Sequence, residues 1–257
     1  MSNDYSEFIQ GIKRKTGIDL SLYKEAQMKR RLTALYEKKG YGSFQEFFSS
    51  LNRNREEMEE FLDRMTINVS EFFRNYKRWE VLENKILPRL LEGNTSFKVW
   101  SAACSTGEEP YTLSMILSKY VPLPNGTITA TDIDKNALQR AMNGVYPERS
   151  LSEIPEQMRR NHFTGEGPLY KLNEEVKRTV SFKQQNLLSD SFEGKYDLIV
   201  CRNVLIYFTE EAKSMLYKKF NAALKPGGVL FVGSTEQIFN PSQYGFETED
   251  TFFYKKI

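Results

Sequence analysis

Hydrophobic residues recur at helical spacing through the first third of the chain. Polar breaks divide this pattern into short segments at residues 16–17, 40–43 and 52–54. In residues 22–39 the apolar positions share one face, and Lys24, Arg31 and Lys38 repeat every seven residues along its edge. The pattern predicts a small N-terminal helical domain with a basic ridge beside its packed face.

After Pro88 the period changes, and short β-rich runs alternate with amphipathic helical segments. Thr209, followed by two glutamates, is typical of a helix start, and the Lys-Pro-Gly-Gly sequence at 225–228 is typical of its end. Such alternation predicts a doubly wound, mostly parallel sheet that binds its ligand at the carboxyl ends of the strands. Strand patterns occupy residues 97–103, 127–132, 196–201 and 228–233.

Two regions depart from this alternation. Residues 246–256 predict a final hairpin, which places an antiparallel strand at or near the sheet edge. An irregular stretch around residues 165–168 predicts a small β insertion at about 163–183, and residues 169–185 are assigned to this insertion together with the third strand of the main sheet. We therefore expect a helical domain and linker at 1–91 and a sheet domain at 92–257.

Composition excludes several classes of function. The chain has 36 basic and 34 acidic residues, which is too balanced for binding nucleic acid with its whole surface. Cys104 and Cys201 lie far apart and there is one histidine, so neither a disulfide framework nor a metal site is expected. No apolar run approaches the roughly 20 residues that cross a bilayer. A cytoplasmic protein without membrane insertion is expected.

The loop after the first strand, residues 101–109, carries the first candidate chemistry. It is small but has one glycine, so the GxGxxG signature of dinucleotide binding is absent. Glu108 and Glu109 at the following helix start would repel a phosphate and suit a cation. S-adenosylmethionine, with adenosine at one end and a sulfonium and an ammonium at the other, fits both observations. The alternative is that both glutamates only complement the helix dipole.

Two aspartates follow the second strand. Asp132 stands where a carboxylate can accept hydrogen bonds from both ribose hydroxyls. Asp134 is the better candidate for capping the next helix. We therefore assign ribose binding to Asp132.

The fourth strand ends in Arg202, Asn203 and Tyr207, at a place favoured for the reacting group. Methyltransferases of nucleic-acid bases commonly carry two prolines after the Asn or Asp here, and Val204 argues against that substrate. Arg202 could pair with a carboxylate substrate and Tyr207 could line the transfer channel. A structural ion pair and core packing are the alternatives.

Five ordered stretches together resemble the CheR family of chemotaxis-receptor glutamate methyltransferases, in particular the enzymes of Bacillus-type bacteria. The similarity covers essentially the whole chain and implies a class I methyltransferase fold with a seven-stranded, Rossmann-like sheet. The stretches are residues 66–74, 99–111, 130–134, 186–188 and 201–208.

The resemblance implies that S-adenosylmethionine is the cofactor and S-adenosylhomocysteine its product. It also implies that a basic helix faces the cytoplasmic helical bundle of methyl-accepting receptors, which would recruit the protein to membrane receptors. The implied cofactor contacts are Asn68, Ser70, Arg74, Glu108, Asp132, Asn186, Leu187, Arg202 and Asn203, and the implied receptor contacts are Lys24, Arg30, Arg31 and Lys38.

The expected reaction is direct methyl transfer to a receptor glutamate, giving a γ-glutamyl methyl ester. A free glutamate has a pKa of about 4.3, so it is ionised at neutral pH and needs no general base. Arg74, Arg202 and Tyr207 are expected to orient the reactants. Two rival classes are a dinucleotide oxidoreductase and a catalytically silent sensor of S-adenosylmethionine.

Overall fold

The structure is a computed structural model that describes residues 3–94 and 96–257. Met1 and Ser2, at the start of the predicted N-terminal domain, and Thr95, just before the predicted first strand, lie outside the described residues. None of the described helices is both long and apolar enough to cross a membrane.

The N-terminal region folds as a helical domain around an aromatic core. Phe8, Phe47 and Phe61 meet with ring centroids 5.8–5.9 Å apart. Ser43 and Asn54 cap two of the helices by accepting backbone hydrogen bonds, so the polar breaks in the sequence act as helix starts. The helices are α1 (Asn3–Thr16), α2 (Glu25–Lys38), α3 (Phe44–Arg53) and α4 (Arg55–Met65).

A second group of helices leads into the sheet and covers it. The first of them continues through a π-helical turn at Leu82–Ile86 into the next. These helices are α5 (Tyr76–Val81), α6 (Leu87–Leu91), α7 (Glu108–Leu117), α8 (Lys135–Asn143), α9 (Glu156–His162), α10 (Glu174–Lys177) and α11 (Glu210–Ala223).

Seven strands of the described chain form one sheet in the order β6-β2-β1-β7-β8-β10-β9. The first five strands in this order, β6, β2, β1, β7 and β8, are parallel. β10 pairs antiparallel with both β8 and β9. The predicted parallel sheet with an antiparallel hairpin at its edge is confirmed. The strands are β1 (Val99–Ala102), β2 (Ile128–Asp132), β3 (Val145–Pro147), β4 (Phe163–Glu166), β5 (Leu169–Leu172), β6 (Val180–Gln184), β7 (Tyr196–Cys201), β8 (Leu224–Val232), β9 (Phe246–Asp250) and β10 (Phe253–Lys256).

Both faces of the sheet are buried, which explains the continuous apolar runs of its central strands. Successive residues of β7 alternate between two cores: Leu198 packs with α7, and Ile199 packs with α11. Asp134 and Thr209 cap α8 and α11, as the sequence predicts. The Lys-Pro-Gly-Gly sequence differs from its prediction, because β8 already begins at Leu224 and includes it.

The two boundaries drawn from the sequence differ from the observed packing. The small sheet, counted over the described residues, has the order β3-β5-β4 and starts at Val145, whereas Val180–Gln184 belongs to the main sheet. Residues 72–90, placed with the helical domain by the sequence, contribute Phe72, Trp79 and Leu87 to the core of the sheet domain. We propose that the domain boundary lies between Met65 and Phe72.

Candidate active site

A cavity of about 810 Å³ opens at the carboxyl ends of the central strands. Its walls come from α2, from residues 66–75 between α4 and α5, here called the interdomain segment, and from the loops after β1, β2, β6 and β7. Both domains therefore contribute to one site, at the edge of the sheet where parallel α/β folds bind ligands.

The loop after β1 has a strained backbone. Ala103 and Ser105 have φ of 59° and 49°, in the left-handed region that residues other than glycine seldom adopt. The backbone N–H of Ser105 donates to Asp132 at 2.7 Å, and its hydroxyl donates to Asn68 at 3.1 Å. These contacts fix the loop in the cavity wall, where Ala103, Cys104 and Ser105 line the space above β1.

Glu108 and Glu109 take different positions. Glu108 is buried and accepts hydrogen bonds from the Thr106 hydroxyl at 2.7 and 3.0 Å, and it does not line the cavity. Glu109 lines the cavity and accepts a hydrogen bond from Ser101 at 2.8 Å. Burial raises the pKa of Glu109 to about 7, against the nearby charge of Arg202. The cavity-facing carboxylate is thus Glu109, whereas the family resemblance implies a cofactor contact at Glu108.

The two aspartates at the end of β2 take separate positions, and the predicted helix cap at Asp134 is confirmed. Asp132 lies in the cavity wall and accepts backbone hydrogen bonds from Ser105 and, at 2.9 Å, from Asp134. Its pKa is raised, chiefly by burial. Asp134 caps α8 with one oxygen and, with the other, accepts from Thr66 at 2.8 Å and Asn68 at 2.7 Å. Asp134 therefore fastens the interdomain segment to the sheet domain.

Arg202 places a buried cation at the cavity wall. Its guanidinium lies 5.0 Å from the ring centroid of Trp79 and 4.7 Å from that of Phe231, and it donates to the Arg74 carbonyl at 2.9 Å. Burial lowers its pKa. The buried Nε has no partner among the described residues. A buried donor without a partner is costly, so the Nε lowers the stability of the folded chain.

The remaining predicted site residues also border the cavity. Asn203 has φ of 62°, and Tyr207 accepts a backbone hydrogen bond from Lys24 at 2.9 Å through its carbonyl. Asn186 and Leu187 form the wall beyond β6, and the Leu187 carbonyl accepts from Lys219 at 2.8 Å. Asn68, Ser70 and Arg74 line the cavity on the interdomain segment.

The predicted basic ridge divides into two parts. Lys24, Arg30 and Arg31 line the cavity, whereas Lys38 does not. Seven residues of helix span about 10.5 Å, which carries Lys38 past the end of the cavity. Arg31 is half-buried and donates to the Thr66 carbonyl, and burial lowers its pKa. Arg31 therefore serves in part to hold the interdomain segment.

Sequence reasoning did not single out Glu109, because which of Glu108 and Glu109 faces the cavity depends on the rotation of α7, which the left-handed loop before it sets. It also missed Glu236, a buried carboxylate beyond β8 that is bonded to the loop carrying Asn203. A lone Glu after a predicted strand carries no local signal of this kind.

Comparison with known proteins covers almost the whole chain. Residues 68–253 match the family model described as CheR methyltransferase, SAM binding domain, and residues 3–66 match the CheR methyltransferase all-alpha domain. A chemotaxis protein methyltransferase of Listeria innocua is 47% identical over 257 residues, covering 100% of this chain and 98% of the relative.

More distant relatives carry similar names. A chemotaxis protein methyltransferase of Borreliella burgdorferi is 35% identical over 92% of this chain and 88% of the relative. Chemotaxis protein methyltransferase 1 of Pseudomonas aeruginosa is 34% identical over 94% of this chain and 93% of the relative.

Proposed function

The chain belongs to the CheR methyltransferase family, and on that premise we propose that it methylates glutamate side chains of chemotaxis receptors. It is an S-adenosylmethionine-dependent methyltransferase of chemotaxis. One observation carries the proposal for its substrate. The cavity that holds Asp132 and Arg202 is also lined by α2 of the helical domain, so a protein bound at α2 can reach the cofactor.

The residues present fit the cofactor. Asp132 has a carboxylate destabilised by burial, which hydrogen bonds from ribose hydroxyls would stabilise. Arg202 lines the cavity with a positively charged guanidinium, which suits the carboxylate at the other end of the molecule. Glu109 adds a carboxylate suited to a cation. We propose cofactor contacts at these three residues and at Asn68 and Ser70.

Other residues of the cavity wall are proposed as further cofactor contacts. Arg74, Asn186, Leu187 and Asn203 border the cavity and are proposed to complete the cofactor site. Glu108 is proposed as a support beneath the loop after β1, since it bonds to Thr106 rather than facing the cavity.

The chemistry needs orientation more than proton transfer. When bound, the cofactor supplies an electrophilic methyl group on a positively charged sulfur. The receptor glutamate is already ionised at neutral pH, so no residue of this chain has to remove a proton. We propose that Arg74, Arg202 and Tyr207 orient the reactants, since correct positioning can lower a barrier by roughly 7–11 kcal/mol.

The receptor-facing surface is proposed from charge. Lys24, just before α2, and Arg30, on α2, lie at the cavity wall, and a receptor segment that offers glutamates to the cavity is negatively charged there. We propose the cytoplasmic helical bundle of methyl-accepting receptors as the partner, with recruitment to the membrane through that partner. Arg31 contributes by holding the segment beside α2.

The test is a methylation assay on the cytoplasmic domain of the receptor. The chain is incubated with receptor and methyl-labelled S-adenosylmethionine, and the receptor is then treated with alkali. We expect labelled methanol, because alkali hydrolyses a glutamyl methyl ester. Label that stays on the receptor after alkali would contradict ester formation, and an unlabelled receptor would contradict the substrate.

A further inference from the structure

We propose that Glu236 is a positioning residue for methyl transfer, holding the loop that presents Arg202, Asn203 and Tyr207 to the cavity. The inference rests on the proposed function, because it assigns a role in the same site. Glu236 does not line the cavity. Its action is therefore exerted through the loop after β7.

The carboxylate joins the ends of two neighbouring strands. One oxygen accepts the backbone N–H of Asn203 and that of Gly233, each at 2.7 Å, and the other accepts the N–H of Ile206 at 3.2 Å. Asn203 and Ile206 belong to the loop after β7, and Gly233 follows β8. A single side chain therefore fixes the loop at two points against the adjacent strand.

The loop needs such support because its backbone is strained. Asn203 has φ of 62°, in the left-handed region that residues other than glycine seldom adopt. The hydrogen bond from its N–H to Glu236 favours this conformation. Arg202 and Tyr207, on either side, keep their places at the cavity only while the loop does.

The space around Glu236 is equally restricted. A Cβ added at Gly233 would lie 2.4 Å from the Glu236 Oε2 and 2.8 Å from the Asn203 nitrogen. Glycine at 233 thus lets the carboxylate approach the backbone of both strands. The hydrogen bonds of Glu236 to both strands therefore require a residue without a side chain at position 233.

A carboxylate is needed because all three partners are donors. Glu236 is 5% exposed, and burial raises its pKa while the bonds from Asn203, Gly233 and Ile206 lower it. The positive charge of Arg202 also lies near it. A glutamine would turn an amide NH₂ toward at least one of these N–H groups and lose that bond.

The experiment compares three variants of the full chain in the receptor assay. Glu236→Gln removes at least one of the hydrogen bonds that hold the loop after β7. Gly233→Ala keeps the carboxylate but places a methyl group against it. Asp197→Asn is the matched control, since Asp197 is also 5% exposed and accepts hydrogen bonds from Lys98 and Lys225 at the opposite end of β7. For each variant, kcat is normalised to the molecules that bind S-adenosylhomocysteine, and the unfolding temperature is measured.

We expect Glu236→Gln and Gly233→Ala each to lower kcat by about tenfold or more, because small displacements of positioning groups are costly. Affinity for S-adenosylhomocysteine should fall by a smaller factor than kcat does, since the contacts at Arg202 and Asn203 are displaced while those at Asp132 and Asn186 are untouched. Asp197→Asn should lower the unfolding temperature and leave kcat unchanged.

Wild-type kcat in both Gly233→Ala and Glu236→Gln would overturn the proposal. So would equal losses of kcat in all three variants, because that pattern indicates a merely structural role. If Glu236→Gln does not fold, the kcat of Gly233→Ala alone decides, and a wild-type value overturns the proposal. A wild-type chain that releases no methanol would contradict the proposed function instead, so the two failures are distinguishable.

Discussion

The helical domain and the sheet domain bury different kinds of side chain. The core of the helical domain is apolar and largely aromatic, with Phe8, Phe44, Phe47 and Phe61 packed together. Within the described residues, every buried polar or charged side chain lies at Ser101 or beyond. The charged ones are Glu108, Asp132, Asp134, Asp197, Arg202 and Glu236.

This difference in buried side chains indicates that the core of the helical domain serves stability, whereas most of the buried charges of the sheet domain serve function. Burying a charge costs several kcal/mol before its partners are counted, so unpaired charge persists only where something is gained. In the sheet domain, five of these charges line the cavity or hold the segments beside it, whereas Asp197 pairs with Lys225 at the opposite end of β7. In the helical domain the charges lie in surface pairs such as Lys39 with Glu60, which contribute little to stability.

The largest expected effect tests the apolar core. Phe47→Ala removes a fully buried ring and should lower the free energy of unfolding by about 3–5 kcal/mol. Urea denaturation followed by circular dichroism measures the change. Phe239→Ala, at a ring that is 78% exposed, is the control and should change stability little. A similar loss in both variants would remove the distinction between core and surface.

The second prediction concerns Glu109, whose pKa is about 7 in the folded chain and 4.5 in the reference state. Between these values the folded chain holds a proton that the unfolded chain has released. The free energy of unfolding therefore falls as pH rises from about 4.5 to 7, by about 1–3 kcal/mol from this group, and levels off above.

Glu109→Gln should remove that part of the pH dependence, which denaturation at a series of pH values measures. Glu56→Gln, an exposed glutamate, is the control for the amide. An unchanged slope in Glu109→Gln would mean that Glu109 is ionised throughout and is not buried as described.

The third prediction separates ligand binding from stability at Asp132. Asp132→Asn should weaken binding of S-adenosylmethionine by about 10- to 100-fold, as expected when a charged hydrogen bond is lost. The free energy of unfolding at pH 7 should change little, because relief from burying an ionised carboxyl offsets the loss of one of the bonds from Ser105 and Asp134. Calorimetric titration and urea denaturation measure the two. Full affinity in the variant would place the ribose elsewhere.

The smallest effect is expected at the receptor-facing surface. Arg30→Glu should lower kcat/KM for the receptor by about 2- to 5-fold at low salt, because exposed charges interact weakly. Affinity for the cofactor should not change. Lys38→Glu, beyond the cavity on the same helix, is the control. Equal effects of both variants would indicate long-range attraction without a local contact.

The sequence was informative where a signal is local. Period-two and period-3.6 patterns predicted the sheet and its helices, and the caps at Asp134 and Thr209 follow from residue type. β3 was missed because Val145–Pro147 is too short to show alternation and ends in proline.

The candidate site was less accessible from sequence because it depends on tertiary geometry. Which of Glu108 and Glu109 faces the cavity depends on the left-handed turn at Ala103 and Ser105. The contact of Glu236 with Asn203 joins residues 33 positions apart in sequence. Neither relation has a periodic or compositional signature.

The central claim is that one cavity between the domains holds the cofactor within reach of α2. A crystal structure of the chain with S-adenosylhomocysteine tests it most directly. The account predicts ribose hydroxyls on Asp132, the amino-acid carboxylate near Arg202, and the sulfur facing the part of the cavity lined by Arg30 and Tyr207. A ligand bound away from these residues, or with its sulfur closed off from α2, would contradict the account.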